Sequence, residues 1–209
     1  MGGSSKGSAF EREMAVSFSK WWTQGAHDDV FWRVMGSGAR ATSRTQKQQS
    51  TTHASFGDME STTPDSAPFA KLVVLEFKRG YGQWNLQDMV DCRSMKQREW
   101  YDFAQQTLAS WKASKRPFWA VVFQRDGHKA MIAMSPKFYG FLLVKTLEEG
   151  SEDFGNLTDI RLNMYYESCD YSCVAMKLED WFSAVPPKIF KEESYTRDQN
   201  VEIEEIPST

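Results

Sequence analysis

The residues with the clearest chemical meaning are a Glu and a Lys in one apolar segment, residues 73–78 with the sequence VVLEFK, and an upstream acid, Asp58. Side chains alternate between the two faces of a β-strand, so Glu76 and Lys78 are expected to share one face. A carboxylate and an ammonium group on a mostly buried strand need polar partners. A divalent cation and a phosphate would supply both, so the pattern indicates metal-dependent hydrolysis of a phosphodiester.

Asp58 and Glu76 are the predicted metal ligands, because they lie on predicted neighbouring strands joined by a loop over residues 61–70. The backbone carbonyl of Phe77 is the predicted third ligand. Lys78 would orient or activate the attacking water, or neutralise the phosphate. Mg²⁺ is the predicted cofactor, and Mn²⁺ could replace it.

Another carboxylate of interest lies in the first predicted helix, residues 9–24. The apolar residues of this segment recur with helical periodicity, and Glu11 falls in the middle of their face. A carboxylate that faces the core is costly unless a cation is nearby. Glu11 is therefore predicted to reach the site, as a ligand of a second ion or through a water. The alternative is a frayed helix start, or a carboxylate near the positive helix terminus.

The remaining elements alternate between strand and helix patterns. Residues 71–78 form a continuous apolar strand, which is typical of the middle of a sheet covered on both faces. Asp126-Gly127 indicates a hairpin between strands at 118–124 and 128–134. Other predicted elements are strands at 30–35 and from 56, and helices at 85–92, 98–113 and 178–184, while 137–147 and 173–178 are apolar runs of unclear type. This order predicts an α/β fold, with a mixed sheet and helices on its faces.

Charge is informative through its distribution rather than its sum. The net charge of −3 gives no general case for nucleic-acid binding. Between Asp29 and Asp58, however, there is no acid, and the cations there are Arg33, Arg40, Arg44 and Lys47. They could bind DNA phosphates, and a solvated polar loop is the equally supported alternative.

Cysteine content and hydropathy bound the cellular location. The three cysteines give no even disulfide framework, which favours a reducing compartment. No secretory segment and no apolar run long enough to span a bilayer is found in the sequence. A cytoplasmic protein without membrane attachment is therefore predicted.

The motifs resemble those of the PD-(D/E)XK nucleases, and within them the archaeal-type and phage Holliday junction resolvases. Residues 6–13, KGSAFERE, look like the resolvase N-terminal helix, whose first Glu is catalytic and corresponds to Glu11. Arg12 matches the arginine that follows. The FWR sequence ending at Arg33 and the GSG sequence around Ser37 resemble an Arg and a Gly-Ser turn beside the active site. Asp58, Glu76 and Lys78 match the acidic residue and the Glu-x-Lys pair.

The resemblance implies a restriction-endonuclease-like core, with a central mixed β-sheet flanked by helices. It also implies a phage- or mobile-element-type DNA endonuclease that acts on branched DNA in recombination, as a homodimer. The predicted DNA contacts are Arg12, Arg33, Ser37, Arg40, Arg44, Lys47 and Arg79. The expected organisation is a flexible start at 1–8, one nuclease domain at 9–187 and a mobile acidic tail at 188–209, with the domain's core at about 9–134 and an elaboration at 135–187.

Two other functions compete with junction resolution. One is a nuclease that cuts linear duplex or single-stranded DNA in restriction or replication, since one fold serves many substrates. The other is a DNA-binding module that keeps the fold but does not cut. The presence of Glu11, Asp58, Glu76 and Lys78 together argues against the second, because a binding module does not need all four side chains.

Overall fold

The structure, a computed structural model, describes residues 3–34, 56–79, 97–151, 153–157, 159–166 and 169–191. The described strands are β1 (Phe31–Arg33), β2 (Met59–Ser61), β3 (Val73–Arg79), β4 (Phe118–Gln124), β5 (Met131–Met134), β6 (Ile160–Tyr166) and β7 (Cys169–Lys177). The described α-helices are α1 (Gly3–Trp22), α2 (Ala67–Leu72), α3 (Gln97–Ser114), α4 (Pro136–Glu148) and α5 (Leu178–Ala184). Short 3-10 turns lie at Phe154–Asn156 and Pro187–Phe190.

The main sheet has five described strands in the order β3-β4-β5-β7-β6. β3 and β4 are parallel, and the other neighbours are antiparallel, so the sheet is mixed as predicted. A parallel pair needs a crossover connection, and α3 provides it between β3 and β4. β1 and β2 form a separate antiparallel pair. This pair is attached to the edge of β3 by a hydrogen bond from the Asp58 N–H to the Leu75 carbonyl, 2.7 Å long.

Helices cover the two faces of the main sheet unequally. The larger core lies on the α1 side and includes Phe10 and Phe18 of α1 together with Leu75 and Phe77 of β3. Helices α4 and α5 add side chains to the same core. A smaller cluster on the other face joins Val74 and its neighbours in β4 and β5 to α3. Both faces of β3 are therefore buried, but the core on the α1 side is larger than the cluster on the α3 side.

Helix α4 resolves one of the unclear apolar runs in the sequence. Its start is fixed by Ser135, whose hydroxyl accepts a hydrogen bond from the Phe138 N–H, and by Pro136 in the first turn. Phe138, Phe141 and the neighbouring Leu142 then face the core. The other run, 173–178, belongs mostly to β7.

Several boundaries differ from the sequence predictions for identifiable reasons. α1 begins at Gly3 rather than at residue 9, and the Ser8 carbonyl accepts a bond from Arg33. The predicted loop 61–70 contains the start of α2, where Pro68 is tolerated because it lies in the first helical turn. The hairpin at Gly127 is present, but its second strand begins at Met131 rather than at 128.

The expected place of β3 in the middle of the sheet is wrong. Among the strands that the structure describes, β3 ends the order of the five-stranded sheet and has β4 as its single neighbour there. Its continuous apolar pattern arises because α1 and α3 cover its faces, and because residue Asp58 covers its open edge. No helix in the described ranges is long and apolar enough to cross a membrane.

Candidate active site

Glu76 and Lys78 share one face of β3, as the alternation of strand side chains requires. Val74, two residues earlier, packs in the cluster on the α3 side, whereas Leu75 and Phe77 pack in the core on the α1 side. The two charged residues therefore face α3. Glu76 is only 2% exposed, so its polar atoms must find partners inside the protein.

Asp58 is held against β3 by its own main chain and side chain. Its N–H donates to the Leu75 carbonyl, and its carbonyl accepts from the Val34 N–H at 2.9 Å. Its carboxylate atom Oδ2 accepts from the Phe77 N–H at 2.8 Å. Asp58 is 3% exposed. Since the N–H and the carbonyl of a strand residue point to the same side, the Phe77 carbonyl also points toward the edge that Asp58 occupies.

Gly57 permits this close approach of Asp58 to β3. Its φ is +82°, a conformation that residues with a Cβ rarely adopt. A Cβ at this position would stand 2.4 Å from the Leu75 carbonyl oxygen. The Gly-Asp pair in the sequence is thus a structural requirement for bringing Asp58 to its neighbour.

Helix α3 completes the surroundings of the Glu-x-Lys pair. The Lys78 Nζ lies 3.1 Å from Glu76 Oε2 and donates to Gln106 Oε1 at 3.0 Å. The Ser110 hydroxyl donates to Glu76 Oε1 at 3.3 Å. Gln106 and Ser110 are four residues apart, so they lie on the same helix face. The site is therefore assembled from three separate stretches of chain.

The sequence predictions missed Gln106 and Ser110. A helix that crosses over a buried strand normally presents apolar residues to it. Two polar residues at a spacing of four, in the middle of such a helix, are the signal that could have identified them.

The buried carboxyl groups of Glu76 and Asp58 interact electrostatically. Burial raises the pKa of Glu76 to about 8, and the negative charge of Asp58 adds to the rise, while the ammonium of Lys78 opposes it. Hydrogen bonding with Asp58 raises the pKa of Glu76 further. Two adjacent carboxyl groups repel each other when both are ionised, and a bound cation removes that repulsion.

This donor set fits a divalent cation. Within the described ranges, no three carboxylate, imidazole or thiolate side chains are close enough to form a metal site by themselves. Mg²⁺ does not require them, because it usually binds one or two carboxylates and keeps several waters. Asp58 and Glu76 would hold the ion, with the Phe77 carbonyl as a third oxygen.

Glu11 approaches the same site from α1. Its Oε2 lies 3.5 Å from Arg33 Nε, and both side chains are less than one-fifth exposed, at 18% and 15%. Burial raises the pKa of Glu11, and Asp58 raises it further, whereas the charges of Arg33, Lys78 and Arg12 lower it. Arg33 is thus the cation that a carboxylate on the apolar face of α1 requires.

The other predicted DNA contacts are distributed differently. Arg12 is exposed on α1. Arg79 turns toward α1, where it pairs with Glu13 at 3.1 Å and Asp126 at 3.7 Å and lies over the Phe10 ring. Its role in DNA binding stays a prediction. Ser37, Arg40, Arg44 and Lys47 lie outside the described residues.

A mixed α/β sheet with an Asp beside a Glu-x-Lys strand, flanked by helices, defines the restriction-endonuclease-like fold and the PD-(D/E)XK class of nucleases. The chain belongs to the family described as "Phage putative PDDEXK endonuclease", whose model matches residues 2–192. No curated protein and no solved structure matches the chain. The family establishes a phage-type nuclease, and it leaves the DNA substrate and the metal ion open.

Proposed function

We propose that this protein is a divalent-cation-dependent DNA endonuclease whose active site is formed by Asp58, Glu76 and Lys78, with Glu11 at its border. The observation that carries the proposal is the convergence of two buried carboxyl groups and one ammonium group at the edge of β3, where Asp58 binds the Phe77 N–H and Glu76 binds Lys78. Such a set is costly to bury without a ligand that uses it. A cation and a phosphate together satisfy all three side chains.

When bound, Mg²⁺ would polarise the scissile phosphate and lower the pKa of a bound water. Asp58 is oriented for this role by the Phe77 N–H, which fixes one carboxylate oxygen. Glu76 would hold the ion as an ionised carboxylate, having released its proton to solvent. Lys78, placed between Glu76 and Gln106, positions its ammonium to pair with the phosphate or with the attacking water.

Glu11 and Arg33 act at the border of this site. The Arg33 guanidinium holds the Glu11 carboxylate through an ion pair. The charges of Asp58 and Lys78 both act on Glu11, which supports a role for Glu11 in holding a second ion, directly or through a water. Arg33 would then be available to pair with a phosphate once Glu11 engages a cation.

The site assignment is tested by Glu76→Gln and Lys78→Ala. We expect each variant to lose DNA cleavage in Mg²⁺ or Mn²⁺ by about 100-fold or more, because each removes a ligand or a positioned ammonium. The matched controls are Glu179→Gln and Lys129→Ala, which alter an exposed ion pair at 2.8 Å. Normal cutting by either site variant, with unfolding temperatures unchanged, would end the assignment.

For the substrate, we propose branched DNA of the four-way junction type, cut by a homodimer in the cytoplasm of a phage-infected cell. The likeness of residues 6–13 and of the Arg33 region to junction resolvases supports this choice. Cleavage of a synthetic four-way junction should be compared with a linear duplex and a single strand of the same sequence, while the mass in solution is measured. Equal cleavage of the three DNAs would contradict the resolvase proposal and leave the nuclease proposal intact.

A further inference from the structure

Trp32 is a large apolar side chain exposed on a firmly held strand. Its residue is 53% exposed, whereas Phe31 before it is fully buried. β1 is fixed on one side by a 2.9 Å hydrogen bond from the Phe31 N–H to the Ser19 hydroxyl, and on the other by the bond between Val34 and Asp58. β1 therefore presents the indole to solvent from a fixed strand. Val34, the residue after this strand, is hydrogen-bonded to Asp58, the proposed metal ligand.

The indole faces the same side of the protein as a cavity of mixed polar and apolar lining. Trp32 is directly opposite Glu60 in the register of β1 and β2, and side chains of opposed residues lie on the same face. Glu60 lines a cavity of about 590 Å³, together with Phe56, Lys71, Ser114 and Arg116 among others. A ligand that fills this cavity can extend over β2 to the indole.

Helix α3 contributes one residue to the lining of the cavity and two residues to the surroundings of the catalytic centre. Gln106 contacts Lys78, and Ser110 contacts Glu76. Ser114, four residues further, lines the cavity. The three residues occupy one stripe of the helix, since each is one turn from the next. The cavity thus begins about one helical turn beyond the residue that contacts Glu76, a step comparable to the spacing of successive phosphates in a DNA strand.

Charge on this surface favours a polyanion. The carboxylate of Glu60 is offset by Arg116, whose Nη2 lies 2.6 Å from Glu60 Oε1. Lys71 is exposed, and within the described part of the chain its ammonium has no ion-pair partner. The cavity surface therefore carries an uncompensated positive charge, and the exposed Trp32 ring lies on the strand beside Glu60, which lines the cavity. A cation combined with an exposed aromatic ring is what binds single-stranded nucleic acid.

We propose that the surface formed by Trp32 and by the cavity that Glu60 and Lys71 line binds an unpaired stretch of the DNA substrate beside the scissile phosphate. An unpaired base stacks on the Trp32 indole, and a phosphate of the same strand pairs with the Lys71 ammonium. A base inside a duplex is already stacked on both faces, so the indole selects DNA that carries an unpaired segment. The inference rests on the proposed nuclease function and specifies the substrate feature recognised next to that site.

The test is equilibrium binding of two fluorescent DNAs, a blunt duplex and the same duplex with a single-stranded tail. The full chain is used with Glu76→Gln present in every sample, so that the DNA stays intact. Trp32→Ala should weaken binding of the tailed DNA by about 10-fold, as expected when one base no longer stacks. Trp32→Phe should retain part of this affinity, and binding of the blunt duplex should change by less than about twofold.

Lys71→Ala should reduce the slope of log affinity against log salt concentration by about 0.7 for the tailed DNA, the value expected for one neutralised single-strand phosphate. Two controls lie on the α1 face or on helices packed there. Leu147→Ala removes an apolar side chain of similar exposure, 51%, from α4, and Lys20→Ala removes an exposed ammonium from α1. Neither should alter binding of the tailed DNA.

Unchanged affinity of Trp32→Ala for the tailed DNA overturns the inference. An equal loss for the tailed and blunt DNAs, or with the control variants, overturns it as well, because stacking on an unpaired base would not act on both. These outcomes leave the nuclease proposal intact as long as the unaltered protein cuts DNA. Failure of the unaltered protein to cut or bind any DNA contradicts the proposed function itself.

Discussion

At the scale of single residues, the raised pKa of Glu76 has the most direct consequence that can be measured. With no cation present, burial and the charge of Asp58 hold this carboxyl protonated up to a pKa of about 8. The usual value for Glu is near 4.5. Between these two values the folded protein binds a proton that the unfolded chain has released. The contribution of Glu76 to stability is therefore present at low pH and is lost as pH rises.

We expect the free energy of unfolding to fall by up to about 1.4 kcal/mol per pH unit between about pH 5 and 8 from this group, and to level off above it. The effect is measured as the difference between the unaltered protein and Glu76→Gln in denaturant titrations with a chelator. Added Mn²⁺ should flatten the difference, because the cation binds the ionised carboxylate. Identical pH profiles for the two proteins would mean that Glu76 is ionised throughout.

The charged residues of the candidate site were easier to predict from the sequence than the polar residues that contact them. Glu76 and Lys78 were predictable, because strand alternation and an apolar context restrict what a charged pair can do. Glu11 was placed by the helical periodicity of its neighbours. Gln106 and Ser110 were not predicted, since a polar residue on an amphipathic helix is ordinarily solvated, and only the packing of α3 on β3 shows which side it faces.

At the scale of elements, the junction between the two-stranded and five-stranded sheets depends on Gly57. Its positive φ and its proximity to the Leu75 carbonyl leave no room for a Cβ. The predicted position of β3 was wrong for a related reason. An apolar run indicates that both faces of a strand are buried. It does not indicate whether a second strand or a turn covers the edge of that strand.

Gly57→Ala should lower the free energy of unfolding by about 2 kcal/mol or more, since it adds a collision to a disfavoured backbone conformation. It should also weaken metal binding, because Asp58 must move away from β3. Gly127→Ala is the matched control. Its φ is +78°, but nothing lies within 4 Å of the added Cβ, so its cost should be about 1 kcal/mol.

Chemical denaturation and calorimetric titration with Mn²⁺ measure the two effects. Equal losses of stability for Gly57→Ala and Gly127→Ala, with unchanged metal affinity, would show that Asp58 does not need this close approach.

At the scale of the whole molecule, charge is segregated although its sum is small. The acid-free stretch between Asp29 and Asp58 leads from β1 to Asp58, the proposed metal ligand. The α/β class and the central helix α3 followed from the order of patterns in the sequence. Helix α4 and strand β7 did not, because their apolar runs lack a period that separates helix from strand.

The triple variant Arg40→Gln, Arg44→Gln and Lys47→Gln should weaken duplex binding and reduce the salt slope by about 0.9 for each phosphate that is no longer neutralised. Cleavage at saturating DNA should change little, because these side chains are not the metal ligands. Filter binding across a salt series measures the slope. A slope equal to that of the unaltered protein would assign DNA binding to another surface.

The two-stranded sheet is attached through the main chain of residue 58, and this has a consequence for mutations at that position. Its N–H and carbonyl hold Leu75 and Val34 whichever side chain the residue bears. One nucleotide change that turns Asp58 into Asn would therefore silence hydrolysis and spare folding. Descendants carrying it would still occupy the target and shield it from active copies, so an antagonist of the cutting form lies a single mutational step away.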